Sequence, residues 1–390
     1  MKRILFLAEE VDTNGAMSSL LALLRALPKD KYDVSLFLFK HGCKMMEQLP
    51  KDITLLPESF PYFIHRAPLR QAIKSSLKAF RFDMTLYRIL VAFQRFFGLN
   101  YNLWSFLPAV NGQFDVACCY TDGFVAPMML RKVKAARKCS WIHLPYTRCK
   151  QMPYVYDALR KMDVCVPVSI DTGRDLDRVF SQHLPQHVVH NITDAEVCMK
   201  RASEISVESS AKERKDGVFR IVSVGRVTPQ KFFDIIPSVA ELLNSKGLNY
   251  EWYIVGNGDK YDELLRETRE KGLDNKVYFI GARSNPMPWI MSADVFVNPS
   301  RFEAWGMTVS EALCLGKAVI VSDIPVFKEQ ITDGVNGIVR KVTPEKLADA
   351  IMMLADDEEL RHKLEQNARK YPFTKERIVQ EFNQLMDKLS

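Results

Sequence analysis

A chain of 390 residues with 47% hydrophobic and 26% charged residues has room for about two ordinary globular domains. No apolar run reaches the roughly 18 residues that a spanning helix needs, and the eight cysteines show no C-x-x-C spacing, so they read as reduced thiols of a cytoplasmic protein. The net charge of +7 is uneven: residues 1–194 hold 26 Lys+Arg against 17 Asp+Glu and residues 195–390 hold 28 against 30, so an anionic surface would be met by the N-terminal half.

The opening "MKRILFLAEEVD" meets Glu9, Glu10 and Asp12 where a signal peptide would be cleaved, and reads as a first strand. Further strands are expected at "DVSLFLF", "FDVACCY", "KCSWIHL" and "DVCVPVS", with helical patterns between them. Near-continuous apolar strands alternating with helices predict a parallel sheet covered on both faces. The stretch from Arg66 to Phe97 has Asp83 as its sole acid. Its cations Arg66, Arg70, Lys74, Lys78, Arg81, Arg88 and Arg95 fall at spacings of 4, 4, 4, 3, 7 and 7, which predicts one helical stripe beginning near Pro68. Phe80, Phe82, Phe93, Phe96 and Phe97 lie among them. One reading is a core helix with a wet face; the other is a surface for anionic lipid, peripheral on the inner face of the cell membrane. Nucleic acid fits less well, because the aromatics are too apolar for a base-stacking platform. "DLD" at Asp175–Asp177 invites a metal-site reading, but residues two apart on a helix face different ways, so a solvated face is expected.

The polar segment 195–217 reads as a linker between an N-terminal domain, 1–194, and a second domain, 218–373. There the alternation restarts, with strands at "FRIVSVG", "YEWYIVG", "KVYFIG", "ADVFVNPS" and "KAVIVSD". The last helical pattern, 374–389, is expected to pack back on the first domain. The fold class is therefore α/β, two doubly wound Rossmann-like domains with ligands at strand ends and in the cleft between domains.

The loop "GRVTPQKFFD" puts Arg226 and Lys231 five residues apart after a strand. Such residues are common on surfaces, but arginine and lysine together also suit a diphosphate. In "RFEAWGMTVSEAL", Gly306 lets the chain turn into a helix whose first amides near Met307 and Thr308 form an anion site. Glu303 would repel phosphate and should face hydroxyls; Glu311, a turn into the helix, can accept from a vicinal diol such as ribose. The alternative is two solvated glutamates. Two carboxylates for hydroxyls and two cations for phosphates describe a nucleotide-sugar.

Here "VGRVTPQK", "YIVGNGD", "FIGARSNP" and "PSRFEAWGMTVSEALCLGKAVIVSD" resemble, in that order, the C-terminal domain of retaining GT-B glycosyltransferases of family 4, and the resemblance extends over 1–390. It implies that Glu303 contacts the donor sugar, Glu311 the ribose, and Arg226 and Lys231 the diphosphate. Ala282 and Arg283 would lie near the base, Met307 close to the ribose-phosphate, and Ala304, Trp305 and Gly306 along the donor loop. The N-terminal domain departs more: "TNGAMSS" keeps Gly15 of a Gly-Gly turn but has Ala16 next, while His143 in "SWIHLPY" matches a histidine beside the donor sugar. "VVHNITD" has Ile192 where the family has glycine, and "QKFFD" and "GKAVI" lack a usual glycine and proline. The resemblance implies no metal and no cofactor, only a nucleoside diphosphate-sugar, UDP-sugar above all, as donor. No residue stands out as a covalent nucleophile, and the family precedent is front-face attack. The implied activity is sugar transfer to a glycan or lipid-linked acceptor in surface polysaccharide biosynthesis, with His143 and Glu303 as catalytic residues. An epimerase of the same fold and a catalytically silent nucleotide-sugar sensor are the alternatives. A dinucleotide-dependent dehydrogenase is not supported, since "VGNGDK" does not complete G-x-G-x-x-G.

Overall fold

The structure, a computed structural model, describes residues 1–10, 15–42, 44–57, 68–78, 80–97, 108–204 and 216–390. Arg66, residues 11–14 before Gly15, and residues 205–215 of the expected linker lie outside the described residues, as does the side chain of Arg95. The chain forms two compact units, residues 1–190 with 378–390, and residues 191–377.

The first unit holds six strands, β1 (Lys2–Glu10), β2 (Tyr32–Lys40), β3 (Thr54–Leu55), β4 (Gln113–Cys119), β5 (Lys134–Ile142) and β6 (Val164–Pro167). The second holds β7 (Phe219–Val224), β8 (Tyr250–Val255), β9 (Val277–Gly281), β10 (Val295–Asn298), β11 (Ala318–Ser322) and β12 (Ile338–Arg340). The sheet orders are β3-β2-β1-β4-β5-β6 and β12-β11-β10-β7-β8-β9, with all strand pairs parallel. Each unit thus repeats the same doubly wound order, with its winding direction reversing between β1 and β4 in one and between β7 and β10 in the other. The central strands are buried along their length, as in β8, β10 and β11, which is why the sequence reads there as near-continuous apolar runs.

The C-terminal helix Lys375–Lys388 lays Phe382 against Phe6, Tyr32 and Trp141 of the first unit, at ring-centroid distances of 6.0, 5.6 and 6.3 Å. On the same helix, Glu381 accepts from the His190 backbone amide at 3.0 Å and lies 2.9 Å from its Nδ1.

Three expectations fail. The basic residues do not form one stripe: the chain breaks at Phe80, φ 54°, into a hairpin of two helices, Leu69–Lys78 and Phe82–Phe97. Arg88 is buried and Arg81 is bound by Asp83 through both carboxylate oxygens, at 2.9 and 2.8 Å. The charge periodicity carried across a helix break because spacings of three and four fit either helix alone. Segment 195–217 is not all linker, because Ala195–Ala202 is a helix of the second unit, capped by the Asp194 side chain on Val197 N–H. And Asp175 is not on a solvated face: it is buried in the helix Ile170–Val179 and accepts from Thr147 N–H and Oγ1, while Asp177 meets His183 and Gln186, each at 2.8 Å.

Candidate functional site

In the second unit the switch point between β7 and β10 is framed by the loops that leave those two strands. The β7 loop is pressed against the β8 loop: a Cβ on Gly256 would sit 1.8 Å from the Gly225 carbonyl oxygen, so only glycine allows this approach. Arg226 in that loop is exposed and forms no hydrogen bond or ion pair among the described residues. Lys231 closes a turn, its amide donating to Thr228 O at 3.0 Å, and its Nζ lies 2.5 Å from Glu303 Oε1 of the β10 loop. Both partners are largely buried, with side chains 14% and 8% exposed.

The two loops are tied at further points. Gln230 Nε2 donates to Phe302 O at 3.1 Å, and Arg301 N–H donates to Gln230 O at 2.9 Å. Ser300 Oγ lies 2.8 Å from Glu303 Oε1 and 2.6 Å from Asn298 Oδ1. Glu303 therefore spends Oε1 on the protein and keeps acceptor capacity on Oε2, where Gln230 Nε2 approaches only to 3.4 Å. Phe232, where the resemblance leads one to expect glycine, has φ 53° and ψ 39°, a left-handed conformation unfavourable for a bulky residue. The Arg301 guanidinium stacks over its ring at 3.8 Å, which holds it there.

Gly306, φ 86°, turns the β10 loop into the helix Met307–Cys314, and a Cβ there would meet the Phe327 ring at 2.5 Å. The first intrahelical bonds come from Val309 and Ser310 to Gly306 O, so the Met307 and Thr308 amides lead the helix with no acceptor among the described residues. Gln330 pins this turn: its Nε2 donates to Trp305 O, and its Oε1 accepts from Ser310 at 2.9 Å and Tyr371 at 3.1 Å. The Trp305 indole is buried, edge-on to Phe373, so a ligand can reach this residue only through its backbone. Ala304 and Met307 are half-buried beside it. Ala282 is exposed and Arg283 half-buried at the end of β9, with Nη1 of Arg283 3.2 Å from Ala282 O.

Glu311, on the same helix, makes no side-chain hydrogen bond among the described residues. Burial pushes its carboxyl up to about 7, against the pull of Arg201 and then Lys231. Arg201 was not foreseen. It comes from the Ala195–Ala202 helix, donates to Ser284 O at 2.7 Å, and its own carbonyl accepts from Asn285 at 2.8 Å. Nothing in the linker-like composition around it marked it. The sequence does not mark Ser300 or Gln230 either, although Gln230 precedes Lys231 and Ser300 lies three residues before Glu303.

In the first unit, Gly15 opens the helix Gly15–Ala26 after β1, and His143 follows β5. Neither ring nitrogen of His143 makes a hydrogen bond of good geometry, and the ring lies 4.8 Å from that of Tyr120. Burial lowers its pKa to about 4, opposed by the Tyr120 carbonyl, so the imidazole is neutral at physiological pH. Its backbone amide donates at 3.0 Å to Asp122, which also accepts from the Tyr146 hydroxyl at 2.7 Å. Burial raises the Asp122 carboxyl to about 6, against those two donors. Among the described residues no three His, Cys, Asp or Glu side chains gather as a metal site requires.

Residues 205–371 match the family model described as glycosyl transferases group 1. The chain is 30% identical over 225 residues to an alpha-D-kanosaminyltransferase of Streptomyces kanamyceticus, covering 56% of this chain and 58% of that protein. It is 34% identical over 116 residues to the N,N'-diacetylbacillosaminyl-diphospho-undecaprenol alpha-1,3-N-acetylgalactosaminyltransferase of Campylobacter jejuni, covering 29% and 31% of the two chains. The chain thus spans little more than half of the first relative's length and about a third of the second's. The crystal structure of Anabaena HepE in complex with UDP and glucose superposes over 99% of this chain and 100% of its own with a TM-score of 0.71, at 17% identity. Residues 205–371 are therefore similar to the glycosyl transferases group 1, and the chain's two Rossmann-like domains have the GT-B fold.

Proposed function

We propose that this chain is a retaining glycosyltransferase that moves a sugar from a UDP-sugar to a hydroxyl of a lipid-linked or surface glycan. The observation that carries the reading is the 2.5 Å contact between Lys231 and Glu303 across the β7/β10 switch point, with Arg226 unpartnered in the same loop. A nucleotide-sugar changes character where the diphosphate joins the sugar, from anionic oxygens to hydroxyls. A lysine and a carboxylate in contact match that boundary: cations on the diphosphate side, an acceptor on the hydroxyl side. Glu311 is then the ribose partner, and two donated hydroxyl bonds would favour its charged form.

No metal is assigned to the reaction; Arg226, Lys231 and the helix-leading amides take the developing charge on the leaving diphosphate. Glu303 is engaged by Lys231 and Ser300, which suits it to hold the sugar rather than to attack it. Attack and departure on one face, with a diphosphate oxygen taking the acceptor's proton, retains the anomeric configuration. His143, neutral, is assigned a hydrogen-bonding role in the transfer step. The UDP of HepE and the undecaprenol-linked acceptor in the Campylobacter relative's name support the donor and acceptor classes. A thermal-shift panel tests the reading: UDP and a UDP-sugar should raise Tm, and NAD should not. A shift with NAD and none with any nucleoside diphosphate would overturn it.

A further inference from the structure

The helical hairpin of the first unit leaves an apolar surface that the sugar chemistry does not use. Its two helices, Leu69–Lys78 and Phe82–Phe97, meet where Ser76 Oγ lies 2.6 Å from Thr85 Oγ1. Ala72, Met84, Tyr87 and Val91 enter one core with Leu5, Leu7, Phe37 and Phe39. Both helices bury a face in that core, so their opposite faces share the outer surface. On the longer helix that outer face is Phe82, Leu86, Ile89, Phe93 and Phe96, at spacings of 4, 3, 4 and 3, each 46–83% exposed. The row runs about 21 Å at 1.5 Å per residue. Among the described side chains no charge interrupts it, since Asp83 is held by Arg81 and Arg88 is buried on the other face. Phe80, at the left-handed turn, is 82% exposed. A soluble monomer rarely leaves so long an apolar row in water.

The shorter helix shows what the row fits. Leu69 and Leu77 are exposed on it, and beside them Arg70, Lys74 and Lys78 form an exposed row four residues apart with no ion pair among the described residues. Cations bordering an apolar row are the pattern of a helix that lies in a bilayer interface. The hairpin carries no acid besides Asp83 to repel an anionic leaflet, and it belongs to the half of the chain with the basic excess. A protein partner would need polar groups within the patch to fix its register, and the Phe82–Phe96 row offers none. We propose that this hairpin docks the protein on an anionic bilayer, the Phe82–Phe96 row entering the acyl boundary while Arg70, Lys74 and Lys78 contact phosphate headgroups. The contact surface is thus an apolar helix face bordered by three cations. No helix of the described residues is long and apolar enough to cross a membrane; a helix face of this kind lies in the interface and binds reversibly.

Flotation with phosphatidylcholine vesicles, with and without phosphatidylglycerol, tests this on three proteins. The wild type should float with the anionic vesicles, and less as salt rises. Arg70→Gln/Lys74→Gln/Lys78→Gln should weaken that binding roughly a hundredfold, at about fivefold per cation. Leu86→Gln/Ile89→Gln/Phe93→Gln, all at exposed positions, should abolish it even at low salt, with the wild-type Tm retained. Failure of the wild type to float at low salt, or flotation of the apolar-face variant at the wild-type level, would overturn the proposal. So would a dimer, seen by light scattering, that the apolar-face variant dissolves while vesicle binding is absent, because the row would then be a contact between copies.

Discussion

Arg226 and Lys231 share a charge and a loop but differ in surroundings, and that difference is measurable. Arg226 is exposed and unpaired, so Arg226→Ala should leave Tm unchanged. Lys231 neutralises a carboxylate that is 8% exposed, so Lys231→Ala should destabilise the fold by about 3 kcal/mol, the cost of an uncompensated buried charge. Equal denaturant midpoints for the two variants would contradict the buried pair. Glu311 makes a prediction with a sign. Its folded carboxyl keeps a proton up to about pH 7, whereas the unfolded chain releases it near the ordinary glutamate value of 4.5. Folding therefore takes up a proton between those values, and stability falls as pH rises through the window. Glu311→Gln should stabilise the protein at pH 8 by on the order of 2 kcal/mol and change little at pH 4.5. A gain of the same size at both pH values in urea unfolding would exclude the raised carboxyl. The sequence named Arg226, Lys231, Glu303 and Glu311 because charged residues beside turn glycines stand out in loops. It could not name Arg201 or Asp122, whose importance comes only from what the fold brings beside them.

Single elements were legible in proportion to their burial. Long apolar runs such as "YEWYIV" of β8 and "ILFLA", residues 4–8 of β1, are fully buried and read as strands. The strands left unread, β3 at Thr54–Leu55 and β12 at Ile338–Arg340, are two and three residues long at sheet edges, where neither length nor hydrophobicity builds a signal. The hairpin differs for another reason: periodicity constrains each helix but not the break between them, where Phe80 takes a left-handed conformation. The C-terminal helix was visible as a pattern, and its anchor is now specific. Phe382 is fully buried among Phe6, Tyr32 and Trp141, so Phe382→Ala should cost about 3–5 kcal/mol through the cavity it leaves. A loss below 1 kcal/mol in the same unfolding assay would mean that the helix does not hold the first unit together.

At the scale of the whole molecule, one sheet order is built twice, and the loops at the strand ends differ in chemistry. After β7 and β10 those loops carry two cations and a paired carboxylate; after β4 and β5 they carry Asp122, Tyr146 and a neutral His143. The proposed function has the second unit bind nucleotide and the first contribute to transfer. His143→Ala should then lower kcat about tenfold or more while UDP affinity stays within twofold, since general hydrogen-bonding and acid–base roles are worth a decade or more. An unchanged kcat would return His143 to a structural role behind Tyr120. The central claim, a UDP site on the loops of the β7/β10 switch point, is tested most directly by calorimetric titration of UDP into the wild type, Arg226→Ala and Glu311→Ala. Each lost charge-assisted contact of roughly 1.5–3 kcal/mol should weaken UDP by about 10- to 150-fold. UMP should bind Arg226→Ala nearly as well as the wild type and Glu311→Ala much less well. Wild-type UDP affinity in both variants would contradict the site.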